Sequence, residues 1–155
     1  MTPTDQSKPT NCFAACLATL LNIPIEAVPA SADGASWDLD VTQQWLGIKY
    51  HKQLLELSLG ENGSTIHPLV FPVLCILTGP SPRVCQSGLH AVVARTNGLD
   101  GFEILHDPHL TRDGLAGEPR LFCFLVDVHW PQPPDTHVEP VASLLNTDAV
   151  KRMEC

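Results

Sequence analysis

Ten consecutive residues near the N-terminus, Cys-Phe-Ala-Ala-Cys-Leu-Ala-Thr-Leu-Leu from Cys12 to Leu21, are apolar on almost every side. A helix of that kind has no face to turn to water, so other elements must bury it on most sides. Asn11 or Thr10 can cap it, and Asn22 ends it. Pro24 suits the first turn of a short second helix, Ile25 to Val28. Asp40 can cap a third, Val41 to Leu46, stopped by Gly47.

The later chain supplies the covering. Ile48–Lys52 and Leu54–Leu59 read as short strands. Val70–Leu77 is a continuous apolar run with Pro72 near its start, the pattern of a buried strand interrupted early. Gly79–Pro82 reads as a turn. Leu89–Arg95 and Phe102–His106 flank a polar, glycine-containing loop and read as an antiparallel hairpin, and Leu121–Val128 as one more strand. Helices first and antiparallel strands afterwards make an α+β layout, with the buried N-terminal helix packed on the sheet. A length of 155 residues suits one domain with its own core. The expected boundary falls near residue 130: residues 1–130 form the folded unit, and residues 131–155 a Pro-rich linker and a short tail.

Charge and cysteine usage narrow the function. The net charge is −8 and the basic residues are scattered, so no basic stripe exists to hold nucleic acid. No apolar run approaches the ~20 residues that span a bilayer. The polar start carries no basic segment ahead of an apolar one, so a cytoplasmic, reducing location is expected. Cysteines stand at 12, 16, 75, 85, 123 and 155. Cys16, Cys75 and Cys123 lie in apolar runs, where cysteine acts as a small hydrophobe, so no structural disulfide is expected. No C-x-x-C pair is present, and neither a metal nor another cofactor is expected. A metal site on His106, Asp107 and His109 would need a turn at Pro108 to bring alternate strand faces together.

One constellation carries chemistry. Cys12 opens the apolar helix, where the helix dipole and unpaired N–H groups favour a thiolate. His90 begins a strand and can act as base. Asp107, after the next strand, can hold the imidazole tautomer, and Gln6 can donate to an oxyanion. Each residue alone has an ordinary reading: a core cysteine, a satisfied strand histidine, a turn-opening Asp-Pro, an exposed glutamine. Their order and placement together favour the catalytic one. Asn11, Phe13, Arg83 and His106 are read as substrate-contacting positions. Arg83 suits either a substrate carboxylate or a surface salt bridge.

These motifs resemble a papain-like cysteine peptidase, in the compact form typified by the domains that remove double-glycine leaders from bacteriocins. Gln6, Cys12, His90-Ala-Val-Val and Asp107-Pro108 match that pattern, over about residues 5–126. The chain departs from the family's usual Asp-Cys-Gly with Asn11-Cys12-Phe13, which bears on substrate access beside the thiol. The Thr-Asn-Cys-Phe opening, Gly79–Arg83 and His106–His109 are also similar to short bacteriophage and bacterial proteins, so a host cytoplasm is implied if a phage encodes the chain. The resemblance implies a hydrolase that cleaves a peptide, isopeptide or related amide bond in a protein or peptide substrate through a thioacyl intermediate. A transferase or glutamine deamidase would share that intermediate, and a non-enzymatic phage or host binding module would share only the fold. Oligomeric state is left open.

Overall fold

The computed structural model describes residues 1–8, 11–30, 38–58, 72–83, 88–97 and 101–128. The expected tail and Thr10 lie outside the described residues. Helix α1 (Cys12–Leu21) is followed by a single 3-10 turn (Ile25–Ala27) and helix α2 (Leu39–Tyr50). Strands β1 (Lys52–Ser58), β2 (Leu74–Pro80), β3 (Leu89–Thr96), β4 (Phe102–His106) and β5 (Leu121–Asp127) form one antiparallel sheet in the order β1-β5-β2-β3-β4. The last strand is therefore inserted between the first two. The architecture is α+β, as the element order predicts.

The apolar runs become two central strands, β2 and β3, buried on both faces. Ala91 and Val93 of β3 and Ile76 of β2 point to the helices, where they pack with Cys16, Leu17 and Ala18 of α1. Val92 and Ala94, with Cys75, Leu77 and Phe124, form a second cluster on the opposite face. Continuous apolar sequence in β2 and β3 follows from this double burial. Helix α1 lies over β3 and β2, and α2 over β1. β2 starts at Leu74, two residues after Pro72, in keeping with the expected interruption.

Four expectations are corrected. Asp38, not Asp40, caps the helix: its Oδ1 accepts from Val41 N at 3.1 Å. The helix runs through Gly47 and closes at His51, whose φ is 52°. A helical glycine costs about 1 kcal/mol, less than the anchors around it supply. Leu46 is fully buried, and the Gln43 amide pairs with both the N–H and the C=O of Leu54, at 2.9 and 2.5 Å. Ile48–Tyr50 is consequently helix and not strand. Gly79 and Pro80, expected in a turn, complete β2 opposite His90 and Leu89.

The connection from β4 to β5 is built around Asp107. Arg112 and Gly114 both take left-handed backbone, with φ of 55° and 71°. A Cβ on Gly114 would also meet Ile104 Cδ1 at 3.3 Å. Gly114→Ala is expected to cost about 1–2 kcal/mol of unfolding free energy, since an L-residue in that region is strained. Denaturant titration checks this, and an unchanged midpoint would show that the turn relaxes freely.

Candidate active site

Helix α1 begins without a side-chain cap. Asn11 occupies the N-cap position, but its side chain turns back instead: Oδ1 accepts from Lys8 N at 3.1 Å and Nδ2 donates to Ser7 Oγ at 3.0 Å. The expected cap is thus replaced by a brace on the leading segment, and neither contact points to a substrate role. No acidic residue stands in the first turn. The Cys12 sulfur sits against the N–H groups of Ala91, Phe13 and Cys12 itself. Phe13 packs its ring against the core beneath α1.

His90 is almost fully buried at the start of β3, and its Nε2 lies 2.8 Å from Asp107 Oδ1. Asp107 Oδ1 also accepts from His109 N, and Oδ2 from Gly114 N, both at 2.8 Å. The turn expected at Asp107-Pro108 is therefore present, and the same carboxylate meets His90. The carboxylate opens an Asx turn and grips the imidazole at once.

A bulge decides which side chain does this. Val93 pairs with His106 but Ala94 with Ile104, so β4 carries one extra residue, Leu105. A one-residue shift exchanges the faces of everything beyond it. Continuing the pairing sets Asp107 opposite Val92, on the face that His90 shares by alternation. Without the bulge, His106 would stand there. His106 instead turns to the helix side, is 7% exposed, and has its Nε2 2.9 Å from Thr4 O. His106, expected to contact substrate, is placed here as a tie for the leading segment.

That segment positions Gln6. Thr4 N donates to Thr19 Oγ1 of α1 at 2.9 Å, and Gln6 N donates to Pro108 O at 2.9 Å. Arg112 adds a clasp, donating to Asp5 Oδ1 at 2.6 Å and to the Asp107 carbonyl. Gln6 is thereby fixed one residue from the Asp107 grip. Its Oε1 is buried and accepts no hydrogen bond among the described residues, so its amide can rotate without breaking one there.

The structure thus joins His90 directly to Asp107, and brings Cys12 to Ala91, the residue after the imidazole. No hydrogen bond links Cys12 Sγ to the ring among the described residues. Burial raises the Cys12 thiol pKa above its ordinary value, outweighing the Ala91, Phe13 and Cys12 N–H groups and the charge of Arg83. This corrects the expectation of a resting thiolate. Burial likewise lowers His90, outweighing Asp107. Burial alone would raise Asp107, yet the His109 and Gly114 N–H groups and His90 together hold it below the usual carboxylate value. Cys16, Cys75 and Cys123 are buried and free. Their thiols are all raised by burial, Cys75 and Cys123 to about 12.

The residues missed by sequence reasoning are backbone donors: Ala91 N–H at the sulfur, and His109 and Gly114 N–H at the carboxylate. Only the His109 contact had a local signal, the Asp-Pro-His turn. Among the described residues, no three His, Cys, Asp or Glu side chains converge as a metal site. No helix there is long and apolar enough to cross a membrane.

Among known proteins, a glutamate racemase of Nostoc sp. is 37% identical over 70 residues, covering 44% of this chain. The chain spans only 24% of that relative's length. No family model matches the chain. No solved structure matches it.

Proposed function

We propose that the protein is a papain-like, cysteine-dependent hydrolase that cleaves a peptide, isopeptide or related amide bond. The observation that carries this reading is the buried His90–Asp107 pair at 2.8 Å beside an uncapped helix start bearing Cys12. Asp107 engages Nε2, so Nδ1 is the nitrogen left to take the thiol proton. The sulfur then attacks the amide carbonyl. The oxyanion that forms is served by N–H groups at the start of α1 and by the Gln6 amide. His90 returns the proton to the leaving amine, and water hydrolyses the thioester with His90 again as base.

The resting pair is neutral in this scheme. Its thiol is pushed up and its imidazole down, so attack is coupled to proton transfer and does not start from a standing ion pair. The expected iodoacetamide rate at Cys12 therefore climbs from neutral to alkaline pH, through the raised thiol pKa. Peptide mapping across pH 5–10 checks it. A rate plateau already present below pH 6 would mean a preformed thiolate–imidazolium pair.

The reading itself is tested with a defined peptide mixture incubated with the wild type and with Cys12→Ala. New peptide termini that depend on Cys12 support hydrolysis. New amide bonds indicate a transferase, and glutamine converted to glutamate a deamidase. No Cys12-dependent product of any kind would remove the enzymatic reading.

A further inference from the structure

The Arg83 side chain is mostly buried, its Nε fully, without a full set of partners. Its side chain is 12% exposed. Nη2 lies 3.4 Å from Thr111 Oγ1 and 3.9 Å from Asp107 Oδ2, and Nε is buried with no hydrogen-bond partner among the described residues. Asp107 meets it only at 3.9 Å, an ion pair too long for a hydrogen bond. Its oxygens already serve His90, His109 N and Gly114 N at 2.8 Å each, well inside the Arg83 distance. A buried guanidinium normally spends its planar donors on a carboxylate or phosphate, because an unspent buried donor costs free energy. Here a cation with a spare donor stands one carboxylate away from the imidazole of the candidate site. Its charge also reaches Cys12 and His90. Among the described residues its ion pair is with the buried Asp107.

We infer that Arg83 is the specificity determinant for a substrate carboxylate held close to the bond that Cys12 attacks. The inference rests on the Cys12 reading above and names its substrate class: amides bearing a free carboxylate near the scissile carbonyl. Two sources present that group, a C-terminal α-carboxylate and an Asp or Glu side chain. A planar fork of N–H donors takes either one in the same way.

Two alkylating reagents that differ in charge test this without a known substrate. Iodoacetate carries a carboxylate and iodoacetamide does not. With either, the Cys12 sulfur bonds to the methylene carbon, the carbon–iodine bond breaks, iodide leaves, and the thiol proton passes through the imidazole to solvent. The iodoacetate-to-iodoacetamide rate ratio at Cys12 is measured by peptide mapping and divided by that of glutathione. It should exceed one in the wild type and fall about tenfold or more in Arg83→Gln, with Arg83→Lys in between. A purely structural Arg83 would change both rates in parallel and leave the ratio unmoved, which overturns the inference. If Cys12 reacts with neither reagent, the cysteine reading fails first. Should Arg83→Gln not fold, protection of the wild type decides. N-acetylglycine offers only an α-carboxylate, and N-acetyl-aspartic acid N-methylamide only a side-chain one. Saturable slowing of iodoacetamide by either supports the inference and identifies the source; no slowing by both overturns it.

Discussion

Cleavage by the wild type is expected to fall about 10^3–10^4-fold in Cys12→Ala and in His90→Ala. The first removes the proposed nucleophile and the second the proposed base, a buried imidazole joined to a carboxylate. The two variants differ in stability, which separates chemistry from folding. Cys12 is half-buried at the first position of α1, and alanine is the best helix former there. Its melting temperature should barely change. His90 is 2% exposed and donates to a buried carboxylate, so its loss leaves Asp107 Oδ1 with His109 N alone. A cost of roughly 1–3 kcal/mol follows. Product analysis by mass spectrometry beside thermal melting reads both effects. Cleavage that survives in folded Cys12→Ala would take the thiol out of the reaction. Cleavage that survives only in His90→Ala would assign the proton transfer to another group.

Asp107→Asn should cost stability as well as turnover, although only one atom changes. The carboxylate accepts on both oxygens: Oδ1 from His90 and His109 N, Oδ2 from Gly114 N. Asparagine can keep the Oδ1 contacts, but its amino group would then face the Gly114 N–H and the Arg83 guanidinium, donor against donor. The expected loss is about 1–3 kcal/mol at pH 7. Turnover should fall by roughly 10^3-fold or more, because the imidazole loses its anionic partner. The pH dependence has a definite sign. Asp107 titrates below its ordinary 3.8 in the folded state, so its ionised form stabilises the fold above pH 3.8. That stabilisation is lost as pH falls through the depressed folded value. Wild type and variant should therefore differ near neutrality and converge in acid. A gap that persists unchanged to the lowest pH at which both fold would show that the carboxylate charge is not what the turn uses.

The α1 stretch and strands β3, β4 and β5 were legible because each is announced by a local pattern: an all-round apolar helix, alternating or continuous apolar strands, and turn residues between them. The end of α1 was legible for the same reason. Asn22 takes φ of 56° and its N–H returns to Ala18 O and Thr19 O. Misreadings occurred where two local signals compete. Gly47 reads as a stop, yet the helix continues because Gln43 and Leu46 anchor the turn that leads into the glycine. Asp38 and Asp40 are equally good caps by composition, and only the direction of the backbone at Asp38 chooses.

For the candidate site, sequence named the residues but not their chemistry. That Cys12, His90, Asp107 and Gln6 stand at a helix start, a strand start, a strand end and a leading segment can be read from the order of residues alone. Which of Asp107 and His106 faces His90 cannot, because it depends on a single extra residue in β4, and a bulge leaves no mark in composition. The proton on Cys12 is likewise decided by tertiary structure. A helix N-terminus favours a thiolate, but burial of the same sulfur opposes it, and burial is set by β3 lying some eighty residues further along. The contacts that hold Gln6 span still longer separations, from Thr4 to His106 and from Asp5 to Arg112. Periodicity and turn chemistry are short-range and survive in the sequence. Register, burial and the spare donor of Arg83 exist only once distant segments are packed together.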